Sequence, residues 1–293
     1  MEGVDGSGKT TLIRALRDAL HLPVVHVVQP RSPDIKQMLS FLDCGPIIFD
    51  RFHWSPVVYG KVLRDGPELS GYDLWALDGY LMSRGYVSIL CVTDLETMLE
   101  NNRNAPQLWE EVRKAEVLIN LRDSYFNLHY SSELPRLFFD YRVEGIELVI
   151  KAYTEFAKAA APEHVLGHPK PDIWFVGDER ADRGSNGIKI PFYGVGVSDK
   201  LLSGTLLYRA LRDNGYTWGK GVALSNSAGV DLAKVYNELG EPKVVVSLGA
   251  AALNRLSDVG IAARNVVHPQ YWRRFYYHEP KGYTRLIKKA VEH

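Results

Sequence analysis

The chain has 293 residues, 46% of them hydrophobic, with 35 basic side chains balancing 35 acidic ones, which is enough for two domains with buried cores. No apolar run is long enough to span a bilayer and the N-terminus lacks the basic and apolar segments of a secretory leader, so the composition reads as a cytoplasmic, non-membrane protein. The zero net charge hides an asymmetry: residues 1–169 carry 17 basic against 23 acidic groups and residues 170–293 carry 18 against 12, so the second half is the one expected to face a polyanion.

In chain order, the first feature is Gly3-Val-Asp-Gly-Ser-Gly8-Lys9-Thr10, which fits G-x-x-x-x-G-K-[ST] in full. Gly3, Gly6 and Gly8 let backbone N–H groups, those of Ser7 and Thr11 among them, curl around phosphate oxygens. Lys9 is placed to reach the β- and γ-phosphates of ATP, and Thr10 to set its hydroxyl on Mg²⁺. The helical spacing of residues 9–20 points a positive dipole end at the anion. Only Met1 and Glu2 precede the loop, where a central strand is expected. Either the start lies upstream or the sheet lacks its first strand; a truncated or misassigned start is the favoured reading.

The pattern then predicts strands at 23–28, 46–50, 87–93 and 137–141. Helices are predicted near 35–42, at 72–84, as one long element over 108–130, and at 145–161. Strand–helix alternation implies a three-layer α/β domain with a parallel sheet over residues 1–161. Residues 161–171 hold three prolines and a glycine, a composition that punctuates rather than packs. Beyond it the alternation restarts as a second α/β domain, residues 171–293. Its strands are predicted at 173–176, 222–225, 244–248 and 265–267, its helices near 198–214, 229–239, 250–257 and 282–291. Cys44 and Cys91 are isolated and read as reduced core thiols. No repeat at solenoid spacing is evident.

The segment Glu2-Gly-Val-Asp-Gly-Ser-Gly-Lys-Thr-Thr11, with Asp50-Arg51-Phe-His-Trp-Ser55-Pro-Val-Val-Tyr59, resembles the thymidylate kinase family over roughly residues 2–160. The resemblance implies a P-loop kinase fold and ATP- and Mg²⁺-dependent phosphoryl transfer. Asp50 would organise Mg²⁺ together with Thr10, Arg51 would clamp an acceptor-side anion, and Asp5 would face the acceptor. Arg103, in Glu100-Asn-Asn-Arg-Asn104, falls where the family has its closing lid and would neutralise developing charge. The chain departs from the family on the acceptor side. The stretch between Pro30 and Asp50 is short, and Gly60 stands where a base-contacting Gln follows the tyrosine.

Residues 172–277 resemble the uracil-DNA glycosylase superfamily. The matching segments are Ile173-Trp-Phe-Val-Gly177, Pro191-Phe192, Ser225-Asn226-Ser, Val244 to Leu253, and Val267-His268-Pro269-Gln-Tyr-Trp-Arg-Arg-Phe275. The resemblance implies a base pocket in which Phe192 stacks on an extruded base and Asn226 reads its edge. Glu179 or Asp182 would stand for the activating carboxylate. The His268 segment would be a loop that enters a DNA groove, with Arg273 and Arg274 on phosphates. Ala181 at the position of a methyl-blocking tyrosine leaves room for a larger 5-substituent. Together the two resemblances imply a kinase acting on a 5-substituted uracil in DNA, with 5-hydroxymethyluracil as acceptor, as in virus-encoded thymine hypermodification in a host cytoplasm. A free dNMP kinase with an accessory domain, and a DNA glycosylase fused to an NTPase, stay open as alternatives.

Overall fold

The computed structural model describes residues 1–27, 38–39, 42, 45–64, 66, 69–103, 110–157, 160–162, 164–178, 203–276 and 278–293. The chain forms two compact units, one of Met1–Leu77 with Tyr86–Lys158, the other of Asp78–Gly85 with Ala159–His293. Among the described residues no helix is long and apolar enough to cross a membrane.

In the first unit, α1 (Lys9–Leu20) follows the glycine loop, and β1 (Val24–His26) pairs in parallel with β2 (Ile48–Asp50). Helices α2 (Trp54–Leu63) and α3 (Gly71–Ser83) lead to β3 (Ser88–Cys91), which pairs in parallel with β4 (Arg136–Phe139). Between β3 and β4 run α4 (Leu95–Arg103), a 3₁₀ turn (Glu110–Arg113) and α5 (Ala115–Ser131); α6 (Ile146–Ala157) ends the unit.

The two strand pairs are joined by Met1 and Glu2. The Met1 ammonium donates to Phe49 O at 2.7 Å and Arg51 N donates to Met1 O at 2.9 Å. On the other side Glu2 N donates to Ile89 O and Cys91 N to Glu2 O, each at 2.9 Å. Of the two readings of the short start, the one in which the central place stays empty is therefore corrected. Two residues fill the central place and satisfy the inner edges of β2 and β3.

Alternation along β3 sends Ile89 and Cys91 to one face and Leu90 to the other. The first face packs Leu12, Ile13 and Leu16 of α1 with Val149 of α6. The second packs Trp54, Val58, Met98, Leu118, Leu121 and Tyr125. The unit is thus three-layered. The predicted helix over 108–130 is two elements, because Lys114 is extended (φ −83°, ψ 131°) between the 3₁₀ turn and α5. Helices α2 and α4 were not predicted.

The second unit holds a five-stranded sheet ordered β5-β7-β6-β8-β9, with β5 (Leu166–Gly167), β6 (Ile173–Gly177), β7 (Val222–Asn226), β8 (Val244–Leu248) and β9 (Arg264–Val266). All pairs are parallel except β5 against β7. The punctuating segment 161–171 thus also supplies an antiparallel edge strand. Helices α8 (Leu232–Glu238) and α9 (Ala250–Asp258) cover Trp174, Val176, Ala223 and Val245 on one face. Helices α7 (Ser203–Asp213) and α11 (Pro280–Glu292) pack on each other, and α11 also meets β8 and β9. The His268 segment, expected as a loop, is helix α10 (Pro269–Phe275), with His268 Nδ1 accepting from Gln270 N at 3.2 Å as its cap. The predicted strand 23–28 and helix 35–42 extend into residues outside those described, as do Cys44, Asp182 and the Pro191-Phe192 segment.

His129 carries a pH liability. It is fully buried in α5, its ring 4.3 Å from Phe138 and 5.5 Å from Trp54, and neither ring nitrogen has a hydrogen-bond partner among the described residues. Burial, helped by the Arg136 charge, pushes its pKa down to about 4. The unfolded chain titrates near 6.5, so it takes up a proton that the folded protein refuses, and stability is lost as pH falls from about 6.5 towards 4. We expect His129→Phe to remove on the order of 2 kcal/mol of the stability difference between pH 7 and pH 5. Urea unfolding of both proteins at the two pH values measures it; parallel pH dependences refute the assignment.

Candidate functional site

The loop between Glu2 and α1 takes its shape from glycines. Gly8 caps α1 in the left-handed region (φ 87°), and a Cβ there would run into the Tyr141 ring. A Cβ on Gly3 would lie 2.6 Å from Cys91 O. Helix α1 has no side-chain cap and no acidic residue in its first turn, so its leading N–H groups and dipole remain for an external anion. Thr10 and Thr11 are exposed on that turn, and the buried Ser7 Oγ has no partner among the described residues. Lys9 is buried, with Nζ donating to Val4 O at 2.7 Å. Burial and then the Arg51 charge push its pKa down to about 8, against the pull of Asp5, Cys91 and Asp50.

Opposite Lys9, Asp5 forms an ion pair with Arg51 and accepts from Tyr59 OH at 2.7 Å. Burial opposes ionisation of Asp5, yet Arg51 and Lys9, with the Tyr59 hydrogen bond, hold its carboxyl below the usual range. Arg51 is held in a left-handed conformation (φ 66°), which costs of order 1–3 kcal/mol; Arg51 N donates to Met1 O. Its guanidinium lies 4.8 Å from the Tyr59 ring centroid and donates to Tyr125 OH at 3.3 Å. Beneath it, the Glu2 carboxylate accepts from Phe52 N at 2.8 Å, Trp54 N at 3.2 Å and Ser55 Oγ at 2.5 Å. Ser55 Oγ is also 2.6 Å from Tyr125 OH.

Of the residues singled out in the sequence, the structure thus brings together Lys9, Asp5 and Arg51 beside the loop. Arg51 is occupied by Asp5 rather than presented as an open anion clamp. Asp50 joins the same group through its influence on Lys9, while its carboxylate meets His26 Nδ1 at 2.9 Å. Arg103 ends α4 and is exposed; residues 104–109 beyond it lie outside those described.

Sequence reasoning missed the braces. Asn101 donates to Gly6 O at 2.8 Å and lies 3.3 Å from Tyr141 OH. Asn102, buried, donates to Asp5 O at 2.8 Å and Met98 O at 2.9 Å. Arg142 ties Asp140 to Asp94, the residue that caps α4 through Thr97 N. Asn102 was legible only as part of a polar stretch, because nothing local marks an amide that crosses to a loop nearly a hundred residues away.

In the second unit the C-terminal ends of β6, β7, β8 and β9 share one edge, with Gly177 opposite Asn226 and Leu248. Asp178 accepts from Ala252 N at 2.6 Å, and Gly249 leaves 2.5 Å between Asp178 Oδ2 and a Cβ it lacks. Arg255 donates to Asp178 O at 3.0 Å and Ser227 Oγ at 2.9 Å. His268 is close enough to Asp178 for its carboxylate to oppose the downward push of burial on the imidazole pKa. Asn226 is half-buried at this edge, and Arg273 and Arg274 follow on α10. Glu179 and Phe192 lie outside the described residues.

No protein-family model matches the chain, and no curated protein matches it. Solved structures similar to about half of it include the YorR protein of Bacillus subtilis in complex with phosphorylated GDP (18% identity, 54% of this chain and 93% of that chain, TM-score 0.43). Deoxyadenosine kinase of M. mycoides with products dCMP and dCDP is similar at 16% identity, over 53% of this chain and 96% of that chain, with TM-score 0.36. The same kinase with bound dCTP gives 18% identity, 52% and 96% coverage and TM-score 0.36.

The Glu2 cluster makes a sharp comparison. Glu2→Gln keeps an oxygen for Phe52 N and Trp54 N and should be well tolerated. Glu2→Leu leaves two buried N–H groups unpaired and should cost about 2–4 kcal/mol. Denaturant unfolding of the pair checks this; equal stabilities would remove Glu2 as the organiser of the segment.

Proposed function

We propose that the chain is a phosphotransferase that passes the γ-phosphoryl group of ATP, with Mg²⁺, to a hydroxyl of a thymidine-like acceptor. The finer reading is 5-hydroxymethyluracil in DNA. The observation that carries it is the uncapped start of α1 behind a glycine loop, with buried Lys9 bonded to a backbone carbonyl and Asp5 facing it.

The residues fit the groups the reaction needs. The α1 N–H groups, the unpartnered Ser7 Oγ and Lys9 are donors arranged around the space a phosphate chain fills. Thr10 and Asp50 would hold Mg²⁺. An ion held by so few protein groups would be bound mostly through substrate phosphates and water. When bound, the ion supplies charge neutralisation at the phosphoryl oxygens.

On the acceptor side, Asp5 is held ionised and accepts the hydrogen bond of an incoming hydroxyl, orienting its oxygen for in-line attack. Tyr59 and Arg51 fix that carboxylate from the far side. Because Arg51 is already neutralised, this arrangement favours an uncharged hydroxyl-bearing group over a free monophosphate. In the second unit, Asn226 and His268 at the strand ends, with Arg273 and Arg274 beyond them, support a base- and DNA-facing edge.

Incubation with γ-labelled ATP and three acceptors tests the reading. We expect label on DNA containing 5-hydroxymethyluracil, little on free dTMP, and a loss of roughly 10²-fold or more in Lys9→Ala. Label on dTMP alone would make the chain a nucleotide kinase, and an abasic product without label would make it a glycosylase.

A further inference from the structure

We propose that Tyr271 and Phe275 on α10 form a stacking platform for unpaired bases, and that this face of the second unit holds single-stranded DNA. The inference rests on the reading of this unit as DNA-facing and names the form of DNA it takes. Three observations carry it.

The first is exposure without a core role. Tyr271 is 49% exposed and Phe275 58%. They stand one helical turn apart, with ring centroids 4.6 Å from each other, so they present one continuous aromatic surface. The second is that α10 is anchored by another residue. Trp272 Nε1 donates to Glu279 O at 3.1 Å, and its ring stacks on Tyr276 at 4.6 Å. It also fits so closely over Gly282 that a Cβ there would lie 2.5 Å from it. Trp272 therefore helps fasten the helix, which also packs on α7, while the Tyr271 and Phe275 rings keep about half of their surface exposed. An aromatic pair exposed to this degree marks a binding face.

The third is charge. From Arg264 to Lys289 the chain carries seven Lys and Arg residues and one acidic residue, Glu279. Arg274 is exposed beside Phe275. Aromatic faces flanked by guanidinium groups match a strand whose bases are unstacked and whose phosphates run alongside. In a duplex the base faces are already stacked on each other, so only the cations would be used.

Fluorescence anisotropy with a labelled oligothymidylate, and with a duplex of the same length, tests the proposal on the whole chain. We expect tighter binding of the single strand. Tyr271→Ala and Phe275→Ala should each weaken it roughly 5- to 100-fold while duplex affinity barely moves, and Phe275→Trp should retain it. Arg274→Ala should lower the salt slope by about 0.7. Circular dichroism confirms that the variants are folded. Equal affinity for duplex, unchanged single-strand binding in both alanine variants, or tighter binding of oligouridylate would each overturn it. So would self-association abolished by Phe275→Ala, because a second copy would then cover the face. ATP consumption without oligonucleotide, measured on the same preparation, reports on the phosphate loop alone, so failure of one reading is separable from failure of the other.

Discussion

Glu2 is the residue on which the first unit turns. Its backbone ladders onto β3 while Met1 beside it ladders onto β2, and its carboxylate collects the N–H groups of Phe52 and Trp54 and the hydroxyl of Ser55. The phosphate loop leaves on one side of this knot and the Asp50–Arg51 turn lies on the other. The knot therefore sets the spacing between Lys9 and Asp5. A buried acid is costly unless its oxygens are satisfied; here at least three donors meet it, and the same donors fix the start of α2. From α2 come Ser55 and Tyr59, which reach Tyr125 and Asp5 in turn. Pre-organisation of the site is thus a consequence of satisfying one buried charge.

The sequence made the loop and α1 readable because both are local. A glycine pattern and an apolar period of 3.6 each depend on a few neighbouring residues, and α1 falls at the predicted positions, Lys9–Leu20. Most strands were placed to within a few residues for the same reason. What stayed hidden depends on distant partners. At the centre of the sheet Met1 and Glu2 are too few residues to show any periodicity, and their role becomes visible only through their bonds to residues 49–51 and 89–91. Helix α4 reads as polar because one of its working residues, Asn102, is a buried amide bonded to loop carbonyls. The His268-Pro269 pair reads as a loop, yet a histidine that caps and a proline in the first turn are also what begins a helix. A loop and a helix diverge only beyond Pro269, and Trp272 packing against Gly282 decides for the helix.

In the second unit, four parallel strand ends meet at one edge, the position where open α/β sheets gather ligand-facing residues. Asp178 is the acidic group placed there, and it is committed to the N-terminus of α9 and to Arg255 through its backbone. Its carboxylate complements the helix dipole, and Gly249 is small because the carboxylate packs against it. Half-buried Asn226 ends the neighbouring strand, and His268, past the end of β9, spends Nδ1 on capping α10. A residue near a strand end is therefore not functional by position alone; the partners of its side chain divide structural from available groups.

Charge balance argues most directly for the kind of acceptor. Two unit charges about 4 Å apart interact by about 4 kcal/mol at an effective dielectric of 20. A phosphomonoester approaching Arg51 would gain about that much for each of its charges, and it would lose a comparable amount to Asp5, which shares the guanidinium. Releasing Arg51 from Asp5 would in addition leave a carboxylate partly buried with Tyr59 as its remaining partner. The neutral hydroxyl proposed as acceptor would avoid both penalties, donating to Asp5 while the ion pair stays intact. In the proposed reading, the pair that makes Asp5 a fixed hydrogen-bond acceptor also weakens the attraction of Arg51 for a monophosphate. The chain's departures from the thymidylate kinase pattern lie on this same side, at Gly60 and in the short stretch before Asp50, while the phosphate loop fits its pattern in full.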